Sequence, residues 1–269
     1  MPNDAMTQQK NLTEAKEIAA KSGNSFHAKV LLALKGAGWE VLVSPYYNDQ
    51  ATGKPREVDL IAEKAFVATD TFDQPKGTIH IQLYIECKYL NQTTVLWTHL
   101  QDLEATLDML EKKTPLRRTN TLVNDHHYLR QPDNLVVKLF AGQGGQSTEG
   151  EQLYKGLNQV LNSMISYSSK GSILKQQQIP HPNWLVTAKY PIIICGGENR
   201  LFKTEIGSDS DPIPVDQNLL LEVNYSYSHS PGMQLSEYFL IDLVQFELLD
   251  EFLGAVGKDI KAIKMMVDD

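Results

Sequence analysis

Two cysteines in 269 residues are too few for a disulfide framework. Cys87 and Cys195 each sit inside an apolar, strand-like run, and both are expected to be reduced core residues of a cytosolic protein. Long apolar runs are missing too. The longest, Tyr190 to Cys195, is strand-sized, against the roughly 20 residues needed to span a bilayer, so no membrane segment is expected. The first ten residues, MPNDAMTQQK, lack a basic segment followed by an apolar one and do not read as a secretory signal. Nor is there an excess of basic charge: 25 Lys+Arg stand against 33 Asp+Glu, a net charge of −8. That balance counts against a whole-surface attraction to nucleic acid. No internal repeat and no long low-complexity tract is present.

What is there suffices for a sizeable core. Hydrophobic residues make up 42% of the chain and charged residues 22%, an ordinary globular balance. The acidity is uneven. Residues 1–150 carry 16 basic and 18 acidic side chains, a balance of −2, whereas residues 151–269 carry 9 and 15, a balance of −6. A cation site concentrates carboxylates by design, so a mildly acidic total does not exclude work on phosphates.

Residues 1–21 read as an N-terminal polar helix, opened by Thr13, Glu14, Lys16 and Glu17 and broken at Ser22-Gly23. A second helix, about Ser25 to Lys35, places Phe26, Val30, Ala33 and Leu34 on one apolar face and stops at Gly36 and Gly38. The period then changes. Trp39–Ser44 and Val58–Glu63 read as strands, with a polar turn segment from Pro45 to Pro55 between them. After an excursion from Ala65 to Gly77, Thr78–Lys88 reads as a third strand, with Ile79, Ile81, Leu83 and Ile85 alternating against His80, Gln82, Tyr84 and Glu86. Leu96, Leu100, Leu103, Leu107 and Leu110 predict a helix over Thr94–Lys113, and Leu153, Leu157, Val160 and Met164 another over Thr148–Ser169. Asn134–Phe140, Trp184–Cys195, Leu201–Ile206, Leu219–Tyr227 and Tyr238–Val244 read as strands, the last leading into a final helix from about Phe246. Whether the later strands extend the first sheet or form a separate one is open at this level.

The residues that carry chemistry are Asp59 on the second strand and Glu86-Cys87-Lys88 at the end of the third. Alternation points Glu86 and Lys88 to one face and Cys87 to the other. If the two strands pair as a hairpin, Asp59 joins Glu86 on that face. Two carboxylates at close range repel, and a hard divalent cation offsets the repulsion by ligation through oxygen. Magnesium suits such a pair and activates water for phosphodiester hydrolysis, while a neighbouring lysine holds the attacking water or stabilises transition-state charge.

Asp59 and Glu86-Cys87-Lys88, preceded by the helix Ser25–Lys35 and the strand Trp39–Ser44, resemble the PD-(D/E)XK nuclease superfamily, within it the restriction-endonuclease-like, Mrr-like branch. The resemblance covers about residues 22–115. It implies an α/β fold with an α-β-β-β-α-β core, a mixed sheet flanked by helices, here expected over residues 22–200 with a helical insertion and followed by a strand and helix extension over 201–269. It further implies a metal-dependent nuclease cutting DNA to 5′-phosphate and 3′-hydroxyl ends. Magnesium, with manganese as substitute, would be held by Asp59, Glu86 and the main-chain carbonyl of Cys87, with Lys88 as the catalytic lysine. Two departures stand out. His27 occupies the place next to Phe26 where many relatives carry a glutamate, and Val58 rather than proline precedes Asp59. His27 and Glu57 are accessory candidates, Glu57 as an outer-shell carboxylate beside Asp59.

For phosphate-backbone contacts the candidates are Lys112, Lys113, Arg117 and Arg118, in a locally basic stretch. Asn124-Asp125-His126-His127 carries an Asp-His-His string found in one family of metal phosphoesterases, but without the further aspartates such sites need it reads as a polar loop. Gly142–Gly145 lacks the Lys-Ser/Thr of a phosphate loop and reads as a linker. His99 is expected on a helix surface. A homodimer, or a protein partner on the acidic C-terminal part, is compatible with the sequence. The rival expectation is a nuclease-fold module that binds nucleic acid or protein in a bacterial defence or repair assembly without cutting.

Overall fold

A computed structural model describes residues 2–21, 23–49, 52–70, 72–114, 116–142, 152–167, 172–197, 200–230 and 233–267. The chain begins with helices α1 (Pro2–Lys21) and α2 (Gly23–Gly36), then strand β1 (Glu40–Val43) and a small hairpin, β2 (Tyr46–Asn48) with β3 (Pro55–Glu57). Two long strands follow, β4 (Leu60–Thr69) and β5 (Pro75–Tyr89), then β6 (Thr94–Leu100), α3 (Leu103–Lys113) and β7 (Leu135–Ala141). Next come α4 (Gln152–Tyr167), β8 (Trp184–Gly196), β9 (Leu201–Glu205), β10 (Ile213–Pro214), β11 (Leu219–Ser230), β12 (Met233–Gln245) and α5 (Leu249–Val267).

Among the described residues, ten strands form one mixed sheet in the order β1-β4-β5-β8-β12-β11-β7-β6-β9-β10; β2 and β3 pair apart from it. β1, β4 and β5 run antiparallel as a meander, with Leu60 opposite Ile85 and Ile61 opposite Tyr84. β8 then lies parallel to β5 over its whole length, Ile85 opposite Ile192 and Lys88 opposite Cys195. β12 continues parallel to β8. The C-terminal strands therefore extend the first sheet.

Alternation along β5 sorts the core into two layers. Ile79, Ile81, Leu83 and Ile85 face a cluster shared with Val30 and Leu34 of α2, Met109 and Leu110 of α3, and Phe252, Val256 and Ile260 of α5. Tyr84 and Ile193 face the other side, under Leu153, Leu157, Val160 and Leu161 of α4. The chain is thus an α/β protein with a large mixed sheet flanked by helices, and α4 is the cover on the second face. No helix among the described residues is long and apolar enough to cross a membrane.

Three sequence expectations need correction. Thr94–Lys113 is not one helix. Thr94, Leu96 and Thr98 are buried while His99 and Leu100 are exposed, so the first seven residues follow a strand period. Asp102 then starts α3 afresh by accepting the Ala105 N–H at 2.9 Å. The leucine spacing merely bridged two elements, and His99 sits on β6. The excursion from Ala65 to Gly77 is mostly strand, since β4 and β5 pair out to Thr69 and Pro75. The N-terminal polar helix expected over residues 1–21 is present as α1, but it starts at Pro2 rather than at the Thr13 opening. Of the linker expected at Gly142–Gly145, residues 143–145 lie outside the described residues, as does the expected start of the Thr148–Ser169 helix.

Candidate active site

Asp59 precedes β4 rather than lying within it. Three main-chain bonds hold it. Its carbonyl accepts the Ser44 N–H at 2.8 Å and the His27 Nε2–H at 2.9 Å, and its own N–H donates to Glu86 Oε1 at 3.3 Å. A carbonyl only accepts, so this contact fixes the proton of His27 on Nε2. The Asp59 carboxylate swings across to the end of β5 and accepts the Cys87 N–H through Oδ2 at 2.7 Å.

Glu86 is fully buried, and its second oxygen, Oε2, accepts from Lys88 Nζ at 2.7 Å. Lys88 and Glu86 share a strand face, whereas Cys87 packs against the opposite, α2-side layer. The structure thus brings Asp59, Glu86 and Lys88 together. Burial pushes the Glu86 carboxyl up to about 7; the Lys88 ammonium opposes that rise and the Asp59 charge adds to it. A carboxylate this deep, beside another, is short of positive charge.

The sequence reading expected the α4 helix but not its residues at the site. Gln159 Oε1 accepts a second bond from Lys88 Nζ at 3.2 Å, while Gln159 Nε2 points to the Glu57 carbonyl at 3.5 Å. Tyr47, buried in the β2–β3 hairpin, donates its hydroxyl to the Gln159 carbonyl at 3.4 Å. Glu57 ends β3 and meets the site through this main-chain carbonyl. His27 acts on the Asp59 backbone. One sequence signal for α4 existed, a glycine at 156 inside an otherwise apolar helical pattern. A Cβ there would lie 2.9 Å from Lys88 Cε.

α3 carries Lys112 and Lys113 and packs in the layer with α2 and α5, whereas the carboxylates sit under α4; the Lys113 ammonium nevertheless reaches Phe239, a residue of the α4-side layer. Lys112 is exposed. Lys113 lies 3.5 Å above the Phe239 ring and pairs with Glu237 at 3.6 Å. Arg117 donates to the carbonyls of Glu111, Thr114 and Leu116, and Arg118 pairs with Asp108 and Glu111. Each of these last three cations has partners within the chain.

A second polar centre corrects the reading of Asn124–His127 as a polar loop. His126, the cap between two 3-10 turns, and His127, which opens the second, are both buried, facing β12 and α5. His127 faces Asp259 through Nδ1 at 2.5 Å and Asp242 through Nε2 at 3.0 Å, and its N–H donates to Asp259 at 2.9 Å. The hydroxyls of Tyr128 and Tyr190 complete the two carboxylates. His126, His127 and Asp259 have the composition of a metal site, their ligand-type atoms lying within 4.8 Å of one another. Nδ1 and Nε2 of His127 each face a carboxylate oxygen within hydrogen-bond reach, so a proton on each nitrogen satisfies both contacts. His126 Nδ1 accepts the Tyr128 N–H at 3.2 Å, which leaves its proton on Nε2. Burial alone would lower His127, but Asp259 and Asp242 overcome it and hold the ring up at about 10; burial pushes His126 down to about 4, leaving it neutral.

Two surface concavities of about 270 and 260 Å³ lie elsewhere, one beside Thr98, Lys203 and Asp211, the other reaching His127, Asp242 and Lys258; no triad residue lines either. No protein-family model matches the chain, and no match was found among curated proteins or solved structures.

Proposed function

We propose that this chain is a magnesium-dependent nuclease of the PD-(D/E)XK type, acting on DNA phosphodiester bonds in the cytoplasm. The observation that carries the reading is the convergence of three groups at the end of β5: the Asp59 carboxylate accepts the Cys87 N–H, the Glu86 carboxylate accepts the Asp59 N–H, and the Lys88 ammonium lies 2.7 Å from Glu86. The order α2, β1, β4, β5, α4, β8, with β8 parallel to β5, supports a restriction-endonuclease-like core. On this reading β6, α3 and β7 are an insertion, and α4 takes the place the sequence assigned to Thr94–Lys113.

The donor set fits the ion. Two carboxylates and the Cys87 carbonyl are hard oxygen donors, and magnesium accepts one or two protein carboxylates while keeping several waters. Manganese takes the same donors. When bound, the ion supplies Lewis-acid polarisation of the phosphate and a water of lowered pKa. The chain's own residues do the rest. Ser44 and His27 fix the Asp59 main chain, and the Cys87 N–H aims its carboxylate. Glu86 brings the charge that a dry pocket cannot otherwise balance. Lys88, as an ammonium, donates to a non-bridging phosphate oxygen or to the attacking water.

Incubation of the purified chain with plasmid and magnesium or manganese, beside Asp59→Ala and Lys88→Ala, tests the proposal. Nicking by wild type and by neither variant is the expected result; no cleavage across metals and DNA forms overturns it. For a second reading, a non-cutting module that binds nucleic acid or protein, the internal partners of Lys113, Arg117 and Arg118 favour the protein-binding form, since they leave fewer cations for phosphates. Clean binding without cleavage would favour it.

A further inference from the structure

A single-acceptor lysine would be unstable at such a site. The ammonium and a divalent cation compete for the same Glu86 oxygen, and like charges repel. An ammonium with Glu86 as its sole partner would be driven into solvent when the cation arrives. Lys88 has a second acceptor. Gln159 Oε1 lies 3.2 Å from Nζ, and its orientation is fixed because the amide nitrogen points to the Glu57 carbonyl. A neutral amide oxygen holds an ammonium without recruiting the cation, as a carboxylate would.

Gly156 supplies the space. One helical turn before Gln159, it faces the lysine stem: a Cβ would meet Lys88 Cε at 2.9 Å and Cγ at 3.6 Å. Glycine inside a helix is unfavourable relative to alanine, so its use here has a steric reason. Gly254 and Gly257 of α5 offer the contrast, since a Cβ at either meets nothing within 4 Å.

We propose that α4 is the positioning element of the site: Gly156 admits the Lys88 stem and Gln159 retains its ammonium while a cation occupies Asp59 and Glu86. This rests on the reading of Asp59, Glu86 and Lys88 given above. Gly156 and Gln159 are positioning residues, acting through Lys88.

The test is competitive acylation of the full-length chain with acetic anhydride, with and without manganese, read by mass spectrometry. Exposed Lys10 and Lys16 of α1 serve as internal references. In wild type, Lys88 labels several-fold more slowly than these and stays protected in manganese. Gln159→Leu unmasks Lys88 at least threefold, most clearly with manganese. Gly156→Ala does so under both conditions without lowering the melting temperature, and Gly257→Ala matches wild type. Gln159→Glu, which keeps an acceptor oxygen, restores protection without manganese and loses it with manganese, because its carboxylate recruits the cation. Cleavage should fall in kcat rather than KM in both unmasked variants. Wild-type labelling of Lys88 in Gln159→Leu and Gly156→Ala overturns the proposal; if Gly156→Ala does not fold, Gln159→Leu decides alone. The two readings fail separately. A chain that cuts nothing, yet whose variants unmask Lys88, loses the nuclease reading and keeps the positioning role. Normal cutting with unchanged labelling does the reverse.

Discussion

The Asp59 carboxylate accepts the Cys87 N–H at 2.7 Å, tying the residue before β4 to the last turn-out of β5. An asparagine oxygen accepts the same bond but brings no charge. Asp59→Asn should therefore fold with a melting temperature near wild type and lose manganese affinity by about 100-fold. Calorimetric titration with manganese checks it, and unchanged affinity would remove Asp59 from the ligand set.

His27 tests indirect support. Its Nε2–H holds the Asp59 carbonyl from α2, in the supporting position where partner loss costs about 10–100-fold in metal affinity. His27→Ala is expected within that range. His27→Gln, with a donor amide, should recover part of the loss in the same titration.

Cation binding should depend on pH through Glu86. Its carboxyl is pushed up to about 7 by burial, so below that pH a proton occupies the oxygens a cation needs. Manganese affinity is expected to fall as pH drops from 8 to 6, approaching about tenfold per pH unit at the acid end. An affinity flat across that window would contradict the burial of an ionisable Glu86.

The His127 clamp makes a stability prediction of opposite sense. Its folded pKa, about 10, lies above the ordinary histidine value of 6.5. The contribution is therefore fully present below about 6.5 and lost as pH rises through 10. The facing groups are Asp242 of β12, Asp259 of α5, Tyr190 of β8, and the neighbouring His126 and Tyr128. Thermal melts at pH 7 and 9.5 should show an alkaline loss that His127→Gln lacks. Asp259→Asn, which breaks the buried pair, should cost about 3–5 kcal/mol in chemical denaturation at pH 7.

Gly196 joins the fold to the site. A Cβ there would lie 2.4 Å from the Phe26 ring, next to His27 on α2. Gly196→Ala should destabilise by about 1–3 kcal/mol through overpacking. A denaturant midpoint equal to wild type would show that α2 can shift freely.

The sequence by itself determined the local grammar. Period-two alternation on β5 places Glu86 and Lys88 on one face and Cys87 on the other, because strand geometry allows nothing else. The apolar face of α2 and the strand character of Trp184–Cys195 follow from residue type and spacing. Tertiary structure alone decided which elements meet. Leucines at helical spacing ran across Thr94–Lys113, and only the burial of Thr94, Leu96 and Thr98 against β7 and β9 makes the first part a strand. Gln159 lies 71 residues from Lys88 and Asp259 lies 132 from His127. No local pattern encodes such contacts, since they arise when α4 covers one face of the sheet and α5 the other.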